Sequence, residues 1–181
     1  MGGGKPGRLL RGRPLAGYPA AALALVCERV VIVAKAGEEL PELPGVERWD
    51  EPDEPRHPLT GIIEALMRAE SERVLVCAAD MPWVTPLALQ RLLAEPGTAV
   101  AVSDGRLQPV LAVYDPADLD ALKASPRDAP LTRTVERLKP ARVELPAALT
   151  RGIDTPEELA AANENETGPA EAGPESGTGA L

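Results

Sequence analysis

The sequence predicts a three-layer α/β domain with a mostly parallel sheet. Short apolar strands and amphipathic helical segments alternate along the chain, which is the pattern of repeated βα units. One strand, over 74–79, is apolar without interruption and rich in β-branched residues, as is typical of a strand buried on both faces in a parallel sheet. At 181 residues, the chain is long enough for one such domain with a substantial core.

Hydrophobic periodicity and turn residues place the individual elements. Apolar runs with β-branched residues predict strands, and apolar residues at helical spacing predict helices. The predicted strands are 30–34, 46–50, 74–79, 98–103, 107–114 and 141–145. The predicted helices are 18–25, 59–69, 86–93, 116–124, 130–138 and one that begins at Thr155. The Asp104-Gly105 pair between two strands predicts a tight hairpin turn.

The folded domain is predicted to cover residues 1–162. From Asn163 onward the sequence is polar, low in complexity and rich in Gly, Pro and Glu. Such a composition cannot bury enough apolar surface to offset the entropy lost on ordering, so residues 163–181 are predicted to form a disordered tail.

Composition and charge exclude some classes of protein. The net charge is −9 and no basic patch is present, and with two Trp, two Tyr and no Phe there is little for base stacking, so we expect no nucleic-acid partner. The apolar run Ala20–Cys27 is interrupted by Glu28 well short of a membrane span, so we expect no membrane segment. Cys27 and Cys77 lie in apolar stretches without metal-binding spacing, which indicates buried, reduced thiols in a cytoplasmic protein.

Asp80 ends the apolar strand over 74–79, and Met81-Pro82 stops the strand because proline has no N–H to donate. In open α/β sheets, ligands bind outside the carboxyl ends of the strands. A carboxylate at that place can hold a divalent metal on a phosphate. The alternative is a helix N-cap, since Asp suits that position and a helix follows near Pro86.

The start of the chain, Gly2–Lys5, is a second candidate for phosphate chemistry. Glycines let backbone N–H groups approach oxyanions, and a lysine adds a positive charge. The segment lacks the spacing of the Walker pattern, and no Ser or Thr follows Lys5. A flexible chain start is the alternative.

Four segments taken together carry a resemblance to a known family: GGGKPGRLLRGRPL, WDEPDEPRHPLTG, VLVCAADMPWVTP and RGIDTPEEL. Over residues 1–162 the chain resembles the molybdenum cofactor guanylyltransferases of the MobA-like nucleotidyltransferase superfamily. The resemblance implies a Rossmann-like nucleotidyltransferase fold. It also implies transfer of GMP from GTP to molybdopterin with release of pyrophosphate.

The resemblance implies roles for particular residues. Asp80 corresponds to the aspartate that holds Mg2+, and Lys5 to a lysine that contacts the nucleotide phosphates, which makes both candidate catalytic residues. Asp50 stands at the right distance before the Pro-Leu-Thr-Gly turn to match a nucleotide-binding aspartate, and a carboxylate suits the paired N–H donors of guanine. Lys35 matches a position that faces the nucleotide, with an ordinary surface lysine as the alternative.

Further residues follow from the same resemblance. Pro58 and Leu59 open the turn that is close to the family's Gly-Pro-Leu-Ala-Gly, so both are expected to line the nucleotide. Asp154 corresponds to an Asn or Asp near the metal, and is either a second metal ligand or the N-cap of the helix at Pro156. Solvated loop residues are expected at His57, Glu51, Asp53 and Glu54.

The resemblance implies GTP and molybdopterin as substrates, Mg2+ as the cofactor and other molybdenum cofactor proteins as partners. The family signature begins with a strand and a Leu-Ala-Gly-Gly turn that this sequence lacks, and the hypothesis is that roughly 15–20 residues precede Met1 in the working protein. Because that turn contributes to base selection, a cytidylyltransferase or a relative with another phosphate acceptor stays open as an alternative. Because the first strand and turn are missing, a nucleotide-binding pseudoenzyme is a third alternative.

Overall fold

The computed structural model describes residues 7–70 and 72–164. Within these ranges, strands and helices alternate along the chain. The strands are β1 Leu9–Leu10, β2 Arg13–Pro14, β3 Val30–Lys35, β4 Val46–Glu51, β5 Val74–Cys77, β6 Ala99–Ser103, β7 Arg106–Tyr114 and β8 Ala141–Glu144. The helices are α1 Gly17–Ala24, α2 Pro58–Arg68, α3 Pro86–Ala94, α4 Leu119–Ala124, α5 Leu131–Arg137, α6 Ala147–Thr150 and α7 Pro156–Glu164.

The predicted α/β class is confirmed, but the sheets are mixed and the expectation of a mostly parallel sheet is wrong. β3 and β4 form a parallel pair, and the four-stranded sheet has the order β5-β7-β6-β8. In that sheet β7 is antiparallel to both β5 and β6, whereas β6 and β8 are parallel. The reason is the connection between β6 and β7. Asp104 and Gly105 form a tight turn with φ of 49° and 71°, and so short a link joins only antiparallel strands.

Helices cover both faces of the four-stranded sheet, which gives the three layers. On β6, Ala99 and Ala101 pack with apolar residues of α1 and α3 on one face. Val100, between them, packs with α2, α4 and α5 on the other face. The alternation follows from the two-residue period of a strand, and β6 is therefore buried along its whole length.

The strand that precedes Asp80 is shorter and less buried than its sequence predicts. β5 ends at Cys77, and all four of its residues are half-buried. Within the described residues β5 pairs only with β7, and β3 pairs only with β4. The apolar run over 74–79 predicted a strand buried on both faces. In the described sheet, β5 is instead a half-buried edge strand.

A third cluster joins the two ends of the described chain. The β1-β2 hairpin, which the sequence did not predict, contributes Leu10, and Leu15 follows it; both pack with Ile153 beside α7. The backbone N–H of Arg11 donates to Oδ1 of Asn163 at 2.7 Å. These contacts hold the segment before α7 against the rest of the fold.

The longest described helix, α2, has 11 residues, and none of the described helices is long and apolar enough to cross a membrane.

Candidate nucleotide and metal site

Asp80 lies in a turn just beyond the end of β5, and its backbone is held from several directions. Ahead of it, the N–H of Ala78 donates to the carbonyl of Val110 in β7 at 2.9 Å. Behind it, the N–H of Met81 donates back to the carbonyl of Ala78 at 3.2 Å. The carbonyl of Asp80 itself accepts from the N–H of Ile153 at 2.8 Å. The backbone at Asp80 is therefore held by β5, β7 and the segment before α7.

The N-cap alternative for Asp80 is wrong, because Thr85 caps the helix that follows. The Oγ1 of Thr85 accepts from the N–H of Ala88 at 3.3 Å, and Pro86 occupies the first turn of α3. The sequence placed a cap residue and a candidate ligand in one short stretch. In the structure Thr85 is the N-cap of α3, and Asp80 lies in the turn just beyond the end of β5.

The segment before α7 lies directly against the Asp80 carboxylate. A Cβ placed on Gly152 would lie 3.6 Å from Oδ1 of Asp80, which is ordinary van der Waals contact. Asp154 is two residues further along and exposed. The fold thus brings the neighbourhoods of the two predicted metal ligands together, although they are 74 positions apart in the sequence. Their role as ligands stays a prediction.

The N-cap alternative for Asp154 is also wrong, because the adjacent Thr155 is the capping residue. The N–H of Glu158 donates to Oγ1 of Thr155 at 3.1 Å. In return, Oε2 of Glu158 accepts from the N–H of Thr155 at 2.9 Å and from that of Asp154 at 2.7 Å. This reciprocal arrangement is a capping box, which satisfies the first N–H groups of the helix. These N–H bonds also lower the pKa of the Glu158 carboxyl below its ordinary value of 4.5.

Replacing Thr155 with Ala is expected to lower the free energy of unfolding by about 1 kcal/mol, the usual cost of losing a helix N-cap. Because the folded-state pKa of Glu158 is depressed, its contribution is present above pH 4.5 and is lost as the pH falls through the folded-state value. Urea unfolding at pH 7 and at pH 3 measures both effects. Glu158→Gln, which keeps the cap geometry without the charge, is expected to flatten the acid limb of the profile. An unchanged acid limb in that variant would contradict the assignment.

The donor set around Asp80 fits Mg2+. Carboxylate oxygens are the ligands that this hard cation prefers, and it is usually bound by one or two carboxylates together with substrate phosphates. Asp80 and Asp154 supply two carboxylates at one edge of the fold. Within the described ranges no group of three or more His, Cys, Asp or Glu side chains could hold a metal ion. The arrangement therefore suits a metal site that phosphate oxygens complete.

The cysteine beside this site is not reactive. Burial, and then the negative charge of Asp80, raise the pKa of the Cys77 thiol to about 12. Burial also raises the pKa of Cys27. Neither cysteine is in a disulfide, and both are half-buried rather than buried as expected. Their reduced state in the cell stays a prediction. Because the thiolate is the nucleophilic form, Cys77 is unsuited to covalent catalysis at neutral pH.

A second group of predicted residues lies at the ends of β3 and β4. Nζ of Lys35 is 3.1 Å from Oε1 of Glu51, and their side chains are only 13% and 14% exposed. The same amine also donates to the carbonyls of Pro52 and Pro55. The expectation that Glu51 is solvated is therefore wrong. Lys35 directs its amine into the loop between β4 and α2, and its contact with a nucleotide stays a prediction.

Asp50 faces the opposite way from Glu51, since successive residues of a strand point to opposite sides. Its side chain is 53% exposed and accepts from Nε of Arg48 at 2.7 Å. Arg48 also donates to the carbonyls of Lys35 at 2.8 Å and Glu38 at 2.9 Å, so that it ties the loop after β3 to β4. An exposed carboxylate held by an arginine is available to a ligand, and its assignment to guanine stays a prediction.

The Pro58–Gly61 turn forms the first turn of α2 rather than a loop. Nδ1 of His57 accepts from the N–H of Leu59 at 3.2 Å, which makes His57 the N-cap of the helix. His57 is half-buried, so its expected place as a solvated loop residue is wrong. Pro58 is exposed, whereas Leu59 is fully buried in the core. Their nucleotide-binding roles stay predictions.

An open cavity of about 280 Å3 lies beside this group, lined by Lys35, Gly37, Glu38, Asp53 and Arg56. Four of these five residues are charged, and all five lie at the end of β3 or in the loops that follow β3 and β4. Lys5, the predicted phosphate contact, lies outside the described residues, as do residues 165–181 of the predicted tail. Asn163 and Glu164, which were predicted to begin that tail, are instead the last two residues of α7.

Sequence reasoning missed the surroundings of Trp83, three positions after Asp80. The guanidinium carbons of Arg11 and Arg151 each lie 6.0 Å from the centroid of the Trp83 ring. Nε1 of Trp83 is buried and without a partner in the described part of the chain. The three residues are far apart in the sequence, and the only signal was an aromatic residue close to a candidate ligand.

The fold is similar to that of several solved structures. The chain is similar to 2-C-methyl-D-erythritol 4-phosphate cytidylyltransferase of Thermus thermophilus, with a TM-score of 0.69 and 20% identity over 90% of this chain and 93% of that one. It is also similar to molybdopterin-guanine dinucleotide biosynthesis protein A of Archaeoglobus fulgidus, with a TM-score of 0.63 and 21% identity over 88% and 89%. At such identities the likeness establishes the fold alone.

The family itself is established from the sequence. The model of the MobA-like NTP transferase domain matches residues 1–143, so the chain belongs to this family. Over 110 residues it is 34% identical to a Chloroflexus aggregans protein named "Probable molybdenum cofactor guanylyltransferase", covering 57% of this chain and 52% of that one. A Bacillus licheniformis protein of the same name is 44% identical over 68 residues, or 35% of each chain. The chain therefore spans about half, or less, of the length of these curated relatives.

Proposed function

We propose that this protein transfers GMP from GTP to molybdopterin and releases pyrophosphate. The observation that carries the proposal is the position of Asp80, held at the end of β5 and against the segment that contains Asp154. Membership of the MobA-like NTP transferase family supports nucleotidyl transfer as the reaction class. The names of the two curated relatives support guanylyl transfer to the molybdenum cofactor in particular.

The reaction is a direct displacement at the α-phosphorus of GTP. An oxygen of the acceptor's terminal phosphate forms a bond to that phosphorus, and the bond from the α-phosphorus to the bridging oxygen of the β-phosphate breaks. Because the acceptor is already an anion, no side-chain nucleophile is required, which agrees with the unreactive thiol of Cys77. Catalysis then consists of positioning and electrostatic stabilisation.

The residues divide this work between them. Asp80 and Asp154 would hold Mg2+, which supplies positive charge against the phosphate oxygens when bound. Lys5 would contact the nucleotide phosphates. Asp50 would accept from the base, and Lys35 with the start of α2 would shape the nucleotide side of the site. The protein would act in the cytoplasm and deliver its product to other molybdenum cofactor proteins.

A cytidylyltransferase is the second candidate, because the fold is as similar to a cytidylyltransferase as to a guanylyl-transferring relative. Asp50 argues for GTP. Guanine offers paired N–H donors to a carboxylate, whereas the corresponding edge of cytosine offers one donor group beside acceptors.

Titration of GTP and CTP in the presence of Mg2+, followed by turnover with molybdopterin, separates these functions. We expect tighter binding of GTP by at least about tenfold, equivalent to one charged hydrogen bond. Asp50→Asn is expected to remove most of that preference, with Asp128→Asn, an exposed carboxylate in the loop between α4 and α5, as the matched control. Preference for CTP would support the cytidylyltransferase, and GTP binding without any turnover would support a pseudoenzyme.

A further inference from the structure

The surroundings of Trp83 contain two positive charges that the proposed reaction has not used. Arg11 and Arg151 each place a guanidinium 6.0 Å from the ring of Trp83, a distance at which cation–π attraction holds the side chain over the aromatic face. The chain as a whole carries a net charge of −9. Two positively charged side chains on one indole ring therefore stand out in a protein whose net charge is negative.

Of the two arginines, Arg151 is the one available to a ligand. Arg11 is held to the end of α7, since its guanidinium donates to the carbonyl of Ala162 at 3.5 Å and its backbone N–H donates to Asn163. Arg151 is exposed and takes part in no ion pair within the described ranges. Its described contact is the ring of Trp83, which restricts the side chain and leaves its N–H groups for an anion.

Arg151 is also next to the candidate metal site. It directly precedes Gly152, which lies against the Asp80 carboxylate, and Ile153, whose N–H donates to the Asp80 carbonyl. Trp83, which supports the Arg151 guanidinium, is three residues after Asp80. Two short segments that are distant in sequence thus pack together, and one carries the Asp80 carboxylate while the other carries the Arg151 guanidinium.

The direction of displacement decides which phosphate this arginine would meet. The attacking and leaving oxygens must lie on opposite sides of the phosphorus. The residues predicted to face the nucleotide, Lys35 and Asp50, lie at the ends of β3 and β4, in the other sheet. Arg151 lies instead in the segment before α7, next to Gly152, which contacts Asp80, and it belongs to neither of those strands.

On the basis of the proposed function, we infer that Arg151, supported by Trp83, binds the terminal phosphate of the acceptor and orients it for attack. An arginine suits this task because its planar guanidinium donates two parallel hydrogen bonds to a phosphate. It is thus a residue that selects a phosphomonoester as the acceptor. The alternative source of the same chemistry is a phosphate of the nucleotide.

Steady-state kinetics of Arg151→Ala test this inference. We expect the KM for molybdopterin to rise by about 10- to 100-fold, as for the loss of a charge-assisted hydrogen bond, with the dissociation constant of GTP unchanged within about twofold. Arg151→Lys is expected to lie between the two, because lysine keeps the charge but not the planar fork. Arg137→Ala, an exposed arginine in α5, is the matched control. A rise in the GTP dissociation constant with an unchanged acceptor KM would overturn the inference and assign Arg151 to the nucleotide.

A binding measurement keeps this test separate from the proposed function. The chain has two tryptophans, so Trp49→Phe leaves the emission of Trp83 alone. In that background we expect titration with inorganic phosphate to change the emission in a saturable way, and the change to disappear when Arg151→Ala is added. Absence of a saturable change would overturn the phosphate site. If that change is present while the parent chain shows no transfer to molybdopterin, the proposed acceptor is wrong and the phosphate site stands.

Discussion

Asp80→Ala is expected to lower the rate of nucleotidyl transfer by at least about 100-fold, the range seen when a preorganised electrostatic group is lost. The main chain at Asp80 is held by backbone hydrogen bonds beyond the end of β5, so that removing the side chain is expected to leave the backbone position intact. The variant lacks an oxygen donor that Mg2+ prefers. Initial rates at saturating GTP, with Mg2+ varied, measure the effect and show whether additional metal restores part of the rate.

Asp80→Asn and Asp128→Asn each replace a carboxylate with an amide of the same shape, so their comparison controls for the loss of one negative charge elsewhere in the protein. Asp128 is an exposed carboxylate in the loop between α4 and α5, and its amide variant is expected to keep the parent rate. Asp80→Asn is expected to behave like Asp80→Ala, because an amide is a poor substitute for a metal-binding carboxylate. Near-normal turnover in either Asp80 variant would remove Asp80 from the list of metal ligands.

Glu51→Ala is expected to lower the free energy of unfolding by about 3 kcal/mol, since removing one partner of a buried ion pair leaves the other charge uncompensated. Glu51 and Lys35 are 3.1 Å apart and largely buried. Gly61 in α2 leaves room for the Glu51 carboxylate, because a Cβ at this position would lie only 3.0 Å from Oε2 of Glu51. The value is at the lower end of the range because Lys35 keeps the carbonyls of the β4–α2 loop as acceptors. Thermal unfolding is expected to shift by about 6–12 °C.

The neighbouring ion pair gives a matched comparison for Glu51→Ala. Glu54 and Arg56 are 3.9 Å apart in the same loop, with side chains 79% and 77% exposed. Glu54→Ala is expected to change the free energy of unfolding by less than about 1 kcal/mol, because exposed pairs are screened by solvent. Equal melting temperatures for the two variants would show that the Lys35–Glu51 pair has no special place in the stability of the domain.

Local signals predicted the elements well, because they depend on residues close in sequence. The alternating apolar runs of β6 and β7, and the Asp104-Gly105 turn between them, are read directly from period and turn chemistry. The same turn decides that these strands are antiparallel. The expectation of a mostly parallel sheet was therefore wrong for β6 and β7, although the Asp104-Gly105 turn in the sequence already indicated an antiparallel pair.

The site was harder to predict, because its geometry depends on contacts between distant segments. Asp80 could be singled out, but its proximity to Gly152 follows from tertiary packing. The choice between capping and metal binding was open for Asp80 and Asp154. Thr85 caps α3 and Thr155 caps α7, so neither aspartate is an N-cap. The exposure of Asp50 and the burial of Glu51 depend on the register of β4, which composition alone does not fix.

The contacts between the first hairpin and α7 have a consequence for how the chain can be shortened. Arg11 is bound to Asn163, and Ile153 is bound to Asp80. The last described helix and the segment before it therefore hold the first hairpin and the Asp80 turn together, and both lie beyond residue 143, where the family match ends. A chain cut at residue 143 would lose these contacts. The packed unit of this chain therefore extends beyond the segment by which its family is recognised.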